Sequence, residues 1–148
     1  MRLSTKARYG LSCMLFMGKN YNLKEFITIS TLSERLSISK IYLEQVFVLL
    51  KRAGLVIAAK GAQGGYFLSK TPAEINVFDI LYAAENTLFE KNIKVKITDE
   101  NIIEKVLQTN VYNKFDESVK DLLSQMKLSD LISEVEKQEA EQGYMYHL

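Results

Sequence analysis

Apolar positions change period several times along this chain, and each change marks an element. Ala7, Leu11, Met14, Leu15 and Gly18 recur at helical spacing behind Ser4, an N-cap residue, which predicts a first helix over 5–19. Tyr21, Leu23 and Phe26 fall in a loop. A short second helix runs from Ile29 to Leu36, capped by Thr28 or Ser30, with Leu32 and Leu36 on one face. Ser37-Ile38-Ser39 is a tight connection. Ser39 then caps a third helix over 40–52 that stops at Gly54, a left-handed C-terminal glycine. Leu55 to Lys60 is β-branched and small, hence a strand. Gly61-Ala62-Gln63-Gly64-Gly65 turns the chain, and Tyr66-Phe67-Leu68 returns it as a hairpin.

Pro72, the one proline, closes this block, and Asn76 caps a fourth helix over 77–86. Residues 87–98 are lysine-rich and irregular. From Asp99 to Met126 the pattern is helical again. Ile103, Leu107, Val111, Phe115, Val119, Leu122 and Met126 are separated by steps of 4, 4, 4, 4, 3 and 4. This is one long helix with an apolar stripe, or two broken near Asn110–Asn113. Ser129 caps a last helix bearing Leu131, Ile132 and Val135.

At about 100° per residue, the third helix places Leu43, Val46, Phe47 and Leu50 on one face. Opposite lie Ile41, Gln45, Val48 and Arg52, with Glu44 at the border. A helix with one buried face and an amide and a cation on the other suits a DNA major groove. Glutamine can pair bidentately with adenine, and arginine with guanine or phosphate. Helix, short helix, tight turn, helix and glycine-tipped hairpin is the order of a winged helix-turn-helix. The expected fold is therefore mainly α with a small β-hairpin wing and a long C-terminal dimerisation helix. Residues 1–86 form the DNA-binding domain and 87–148 the dimerisation and effector region. An ordinary amphipathic helix is the plainer alternative for 40–52, and a plain hairpin turn for the glycines. The glycine run matches neither a P-loop nor a dinucleotide fingerprint. With Lys60 beside it, it reads as a wing whose backbone approaches phosphate.

Charge sharpens this reading. The net charge is only +1, but residues 1–70 carry eleven Lys/Arg against three acids, and residues 71–148 carry eight against fifteen. The first half is thus +8 and the second −7. A basic half points to a polyanion, and the acidic half must serve something else. One cysteine and one histidine exclude a disulfide framework within the chain, a His-cluster metal site and any all-cysteine zinc or iron–sulfur site built from one chain. No apolar run is long enough for a membrane span. Tyr9 to Gly18 superficially resembles a secretory signal, but Lys19 and Asn20 follow in place of a small-residue cleavage site. A cytoplasmic protein is expected. No Ser/His/Asp set or motif-bounded carboxylate pair suggests an enzyme.

Four stretches carry a family resemblance: Met1 to Gly10 (MRLSTKARYG), Tyr42 to Phe47 (YLEQVF), Ala53 to Val56 (AGLV) and Gly64-Gly65-Tyr66. In this order they resemble the Rrf2 (Rrf-two) family of bacterial regulators typified by IscR and CymR, over nearly the whole chain. The resemblance implies a homodimeric winged-helix transcription factor, usually a repressor, on a palindromic double-stranded DNA operator. It also implies that the long helix, through the stripe from Ile103 to Met126, forms the dimer interface, with the first helix contributing. The DNA-contacting candidates are then Arg2, Ser4, Lys6 and Tyr9 at the N-terminus and Thr28 before the second helix. They continue with Ser39, Lys40, Ile41, Tyr42, Glu44, Gln45 and Arg52 on the third helix, and Lys60, Gly61, Gly64 and Gly65 in the wing.

Two departures matter. Cluster-binding members carry three cysteines between the fourth helix and the long helix, where this chain has none, and Gln108-Thr109-Asn110 offers no histidine. The wing-base arginine is Lys60, which keeps the charge and loses the bidentate fork. The chain thus resembles the cluster-free, CymR-like branch, with no cofactor and no metal expected. The signal is left open among a metabolite, redox state and an enzyme partner. Cys13 is the redox candidate, with Lys6 and Arg8 near enough to favour a thiolate. Its plainer reading is a small buried hydrophobe. The competing function is a dimeric protein-interaction adaptor that no longer reads DNA.

Overall fold

The computed structural model describes residues 2–59, 61, 64–89 and 101–146, with side chains described as far as Gly143. Side chains placed just ahead of the helices fix where they start. The Ala7 N–H donates to Ser4 Oγ at 3.1 Å and opens α1, Thr5–Lys19. The Thr31 N–H donates to Thr28 Oγ1 at 3.1 Å, so Thr28 rather than Ser30 caps α2, Ile29–Leu36. The chain leaves α2 through Ser37 at φ +56°, and Ser33 Oγ donates to the Ile38 carbonyl at 2.6 Å, tightening the turn. Ser39 then accepts from the Tyr42 N–H at 3.3 Å to start α3, Lys40–Arg52.

The end of α3 is equally determined. Gly54 sits at φ +75°, which an L side chain resists. The Gly54 N–H bonds the Lys51 carbonyl and the Leu55 N–H bonds the Leu50 carbonyl, each at 3.0 Å, satisfying two orphan carbonyls. The chain turns there into β1, Val56–Ala58, shorter than the strand expected over 55–60. β1 pairs antiparallel with β2, Tyr66–Leu68, with Val56 opposite Leu68 and Ala58 opposite Tyr66. A further rung joins Ile27 to Tyr66 through bonds of 2.9 and 2.8 Å, so the loop before α2 extends the hairpin.

Asn76 accepts the Asp79 N–H at 2.8 Å and opens α4, Val77–Ala84, which ends two residues before the expected limit. The apolar stripe lies on α5, Ile102–Leu107, and α6, Asn113–Gln125, joined by a π-turn over Gln108–Tyr112. Neither a regular long helix nor a break is found: the path stays helical and changes pitch. The last helix, α7, is Leu128–Tyr146. It starts one residue ahead of the expected cap Ser129. Asp130 in its first turn instead accepts from the Lys127 N–H at 3.3 Å, half of a capping box.

Leu43, Val46, Phe47 and Leu50 of α3 are all fully buried, against Cys13, Met14 and Met17 of α1 and Leu32 of α2. An eight-residue helix such as α2 is too short to persist alone. Leu32 holds it, since burying a leucine is worth roughly 1.5–3 kcal/mol. Leu128 at the start of α7 is 1% exposed within the same core, so the C-terminal region is anchored to the first half. The rung between Asn76 and Lys127 ties the α6–α7 junction to the start of α4. A second, smaller core joins Ala7, Val77 and Leu81 to Leu3 and Leu123.

Candidate nucleic-acid interface

Burying one face of α3 this completely dictates what the other face offers. Ile41 is 72% exposed and Val48 53%, and Lys40, Glu44, Gln45 and Arg52 are exposed beside them. The core and free faces are those the helical period assigns. An exposed amide one turn from the N-terminus and a cation at the far end are the donors a groove-bound helix needs.

Three neighbouring segments are held to this helix by identifiable contacts. Tyr9 of α1 meets Tyr42 edge-on, with ring centroids 5.1 Å apart at 83°. Both rings are half-buried, so these two residues lock the first turns of α1 to the start of α3. Arg2, Lys6 and Arg8 are exposed near that junction. Arg8 was not among the expected contacts; its charge alone would have flagged it. Tyr66 packs on Phe47 at 4.4 Å, fixing the hairpin to the buried face of α3. Thr28 adjoins the Ile27–Tyr66 rung, so the start of α2 and the base of the wing are neighbours.

The candidates separate by what they touch. Ser4, Thr28 and Ser39 each spend their hydroxyl oxygen on a helix N-terminus. Gly61 is exposed at φ +117°, and the Gly64 N–H returns to its carbonyl at 3.1 Å, closing the tip. Gly65 has a different task. A Cβ there would lie 2.7 Å from the Ile27 carbonyl oxygen, closer than real contacts allow. Its missing side chain is what lets the hairpin approach residue 27. Lys60 lies outside the described residues.

Cys13 is wholly buried, and burial pushes its thiol up to about 12 from the usual 9.0. At neutral pH it is protonated and sealed from solvent, which supports the buried-hydrophobe reading and removes the physical basis for a sensor thiolate. In the expected dimer stripe, Ile103, Val111, Phe115, Leu122 and Met126 are exposed, whereas Leu107 and Val119 are half-buried. Among the described residues no helix is long and apolar enough to cross a membrane.

A short second helix, a third helix with one free face and an attached hairpin define the winged helix-turn-helix class of fold. A family model described as "Rrf2: Iron-dependent Transcriptional regulator" matches residues 3–134, and the chain belongs to that family. It is 44% identical over 88 residues to HTH-type transcriptional regulators of two Neisseria meningitidis strains, covering 60% of this chain and 59% of theirs. To CymR of Bacillus subtilis it is 29% identical over the full length of both chains. The solved structure of that protein, described as the global cysteine regulator, superposes with a TM-score of 0.72 over 90% of this chain and 97% of its own. IscR of T. potens superposes with a TM-score of 0.74 at 30% identity, covering 99% of this chain and 96% of that one.

The family description names iron, and the donor set here does not fit an iron–sulfur cluster. The one cysteine is enclosed in the core, and among the described residues no three His, Cys, Asp or Glu side chains converge.

Proposed function

We propose that the chain is a homodimeric transcriptional repressor, acting in the cytoplasm on a palindromic operator, without an iron–sulfur cluster. The observation that carries this reading is α3, whose inner face is fully buried while Gln45 and Arg52 stand free on the other. One helix reads only a short half-site. Two copies related by a two-fold axis read two half-sites separated by whole turns of DNA and gain by avidity. Support for the second copy comes from α5 and α6, where Ile103 is 76% exposed and Leu122 57%. Apolar surface of this extent is the kind that a partner covers. A dimer lying across adjacent turns obstructs polymerase, hence repression.

The test is a mobility-shift titration on the DNA upstream of the protein's own gene. Gln45→Ala should relax preference at one base pair per half-site, costing about 1–3 kcal/mol there. Arg52→Ala and Lys60→Ala should weaken binding to every sequence alike if they meet phosphate. Sequence-blind losses from Gln45→Ala as well would reassign the reading face, and no shift at all would favour the adaptor.

A further inference from the structure

We propose that the cleft between α4, the turn that follows it and α6 binds a small aromatic or branched aliphatic carboxylate. Its volume is about 340 Å³, at the small end of ligand sites. Phe78, Leu81 and Tyr82 of α4 form one wall, Val119 and Leu123 of α6 the other, and Phe89 an end. Phe78 and Tyr82 stack with centroids 5.7 Å apart, and Phe89 leans on Phe78 at 4.8 Å. These rings present faces and edges to a flat or branched apolar body.

One polar group decides the other end of the ligand. The Lys120 ammonium stands 5.4 Å from the centroid of the Phe78 ring, and among the described residues it makes no ion pair. Lys120 is exposed, and an ammonium held over a ring and lacking a carboxylate can take one from a ligand at the cleft mouth. Asp116 and Glu117 also border the cleft and are exposed like Lys120, but neither stands over a ring of the apolar wall. They select against a second negative charge, which favours a monocarboxylate.

The cleft is wired to the DNA-binding elements. Leu3, between Arg2 and Ser4, lines it. The opposite face of α4 carries Ile80 and Ala84, which with Val46 of α3 surround Gly10 of α1. A ligand that shifts α4 or Leu3 therefore acts on the packing of α1 and α3. This coupling rests on the DNA-binding function proposed above, whereas occupancy of the cleft does not.

The experiment is calorimetric titration of the full-length protein with 3-phenylpropionate, its amide and the matching 3-phenylpropylamine. The acid should bind once per chain and about fivefold tighter than the amide, the upper end of what an exposed ion pair contributes. Lys120→Met should abolish that preference and leave amide binding intact, and an unchanged melting temperature checks that the variant folds. Val119→Phe, which fills the cleft, should weaken both. No saturable binding overturns the site, including the case in which a second copy of the chain fills the cleft. Amine binding as tight as the acid overturns the assigned chemistry. Operator affinity measured with and without the acid should differ at least threefold. An unchanged affinity with the acid bound overturns the coupling, while failure to bind DNA in any condition refutes the DNA reading alone.

Discussion

Replacing Gly65 by alanine separates two accounts of the wing. In one, the glycine lets phosphate approach the backbone; in the other, it lets β2 approach residue 27. The added Cβ would lie 2.7 Å from the Ile27 oxygen, and ordinary contact begins near 3.4 Å, so the strand must retreat by about 0.7 Å. The two bonds of the Ile27–Tyr66 rung, now 2.9 and 2.8 Å, would stretch to about 3.5 Å, past useful hydrogen-bond length. Two backbone bonds are worth roughly 1–3 kcal/mol together. For a chain of this size that is a fall in melting temperature of about 3–10 °C. Thermal unfolding followed by circular dichroism measures it. Gly143→Ala is the control, since nothing lies within 4 Å of its built Cβ and alanine suits a helix better. A Gly65→Ala protein that melts with wild type but binds operator weakly would refute the packing account.

Three further outcomes are expected. Cys13 should resist alkylation in the folded protein and react quickly in urea. Its thiol is raised from 9.0 to about 12, so it favours the fold fully below pH 9. That contribution should fade between pH 9 and 12 by about 1.4 kcal/mol per unit as the unfolded thiol ionises first, and Cys13→Ala should flatten this alkaline loss. Operator affinity should fall linearly with log salt, at a slope of about −0.9 for each phosphate neutralised, and a flat line would mean that the basic half does not meet the backbone. Ile103→Glu with Leu122→Glu, both exposed positions away from the cleft, should raise the dimer dissociation constant by about two orders of magnitude in sedimentation, because an interface would have to bury two unpaired charges per chain. A dimer that survives intact places the interface elsewhere.

Features set by local chemistry were legible in the sequence. Ser4, Ser39 and Asn76 cap the helices expected of them, because an N-cap bonds an N–H only three residues on. The two faces of α3 followed from the helical period alone. What failed to show depends on contacts distant in sequence. Gly65 reads as a flexible tip until Ile27 is brought against it. Ser129 looks like a cap until the rung between Asn76 and Lys127 fixes the chain one residue earlier. The cleft draws on Leu3, on residues 78–89 and on residues 115–123, and its one local trace is the Phe78–Tyr82 pair at i, i+4.

The π-turn explains how one stripe can serve two purposes. Each four-residue step overshoots an α-helical turn by about 40°, so the run from Ile103 to Val119 would wind far around a regular helix. A turn closed by i→i+5 bonds holds an extra residue and takes up part of that drift. What remains splits the apolar residues of α6. Val119 and Leu123 turn toward α4, while Leu122, 57% exposed, turns away. The proposed ligand and the proposed second copy thus meet opposite edges of one short helix. A rotation of α6 that tightens the cleft must carry Leu122 with it and tilt one protomer against the other. In a regulator whose half-site spacing is set by the dimer, such a tilt alters which operators both recognition helices can reach together. Sensing and reading would then be joined through α6 as well as through α4, without a metal in either path.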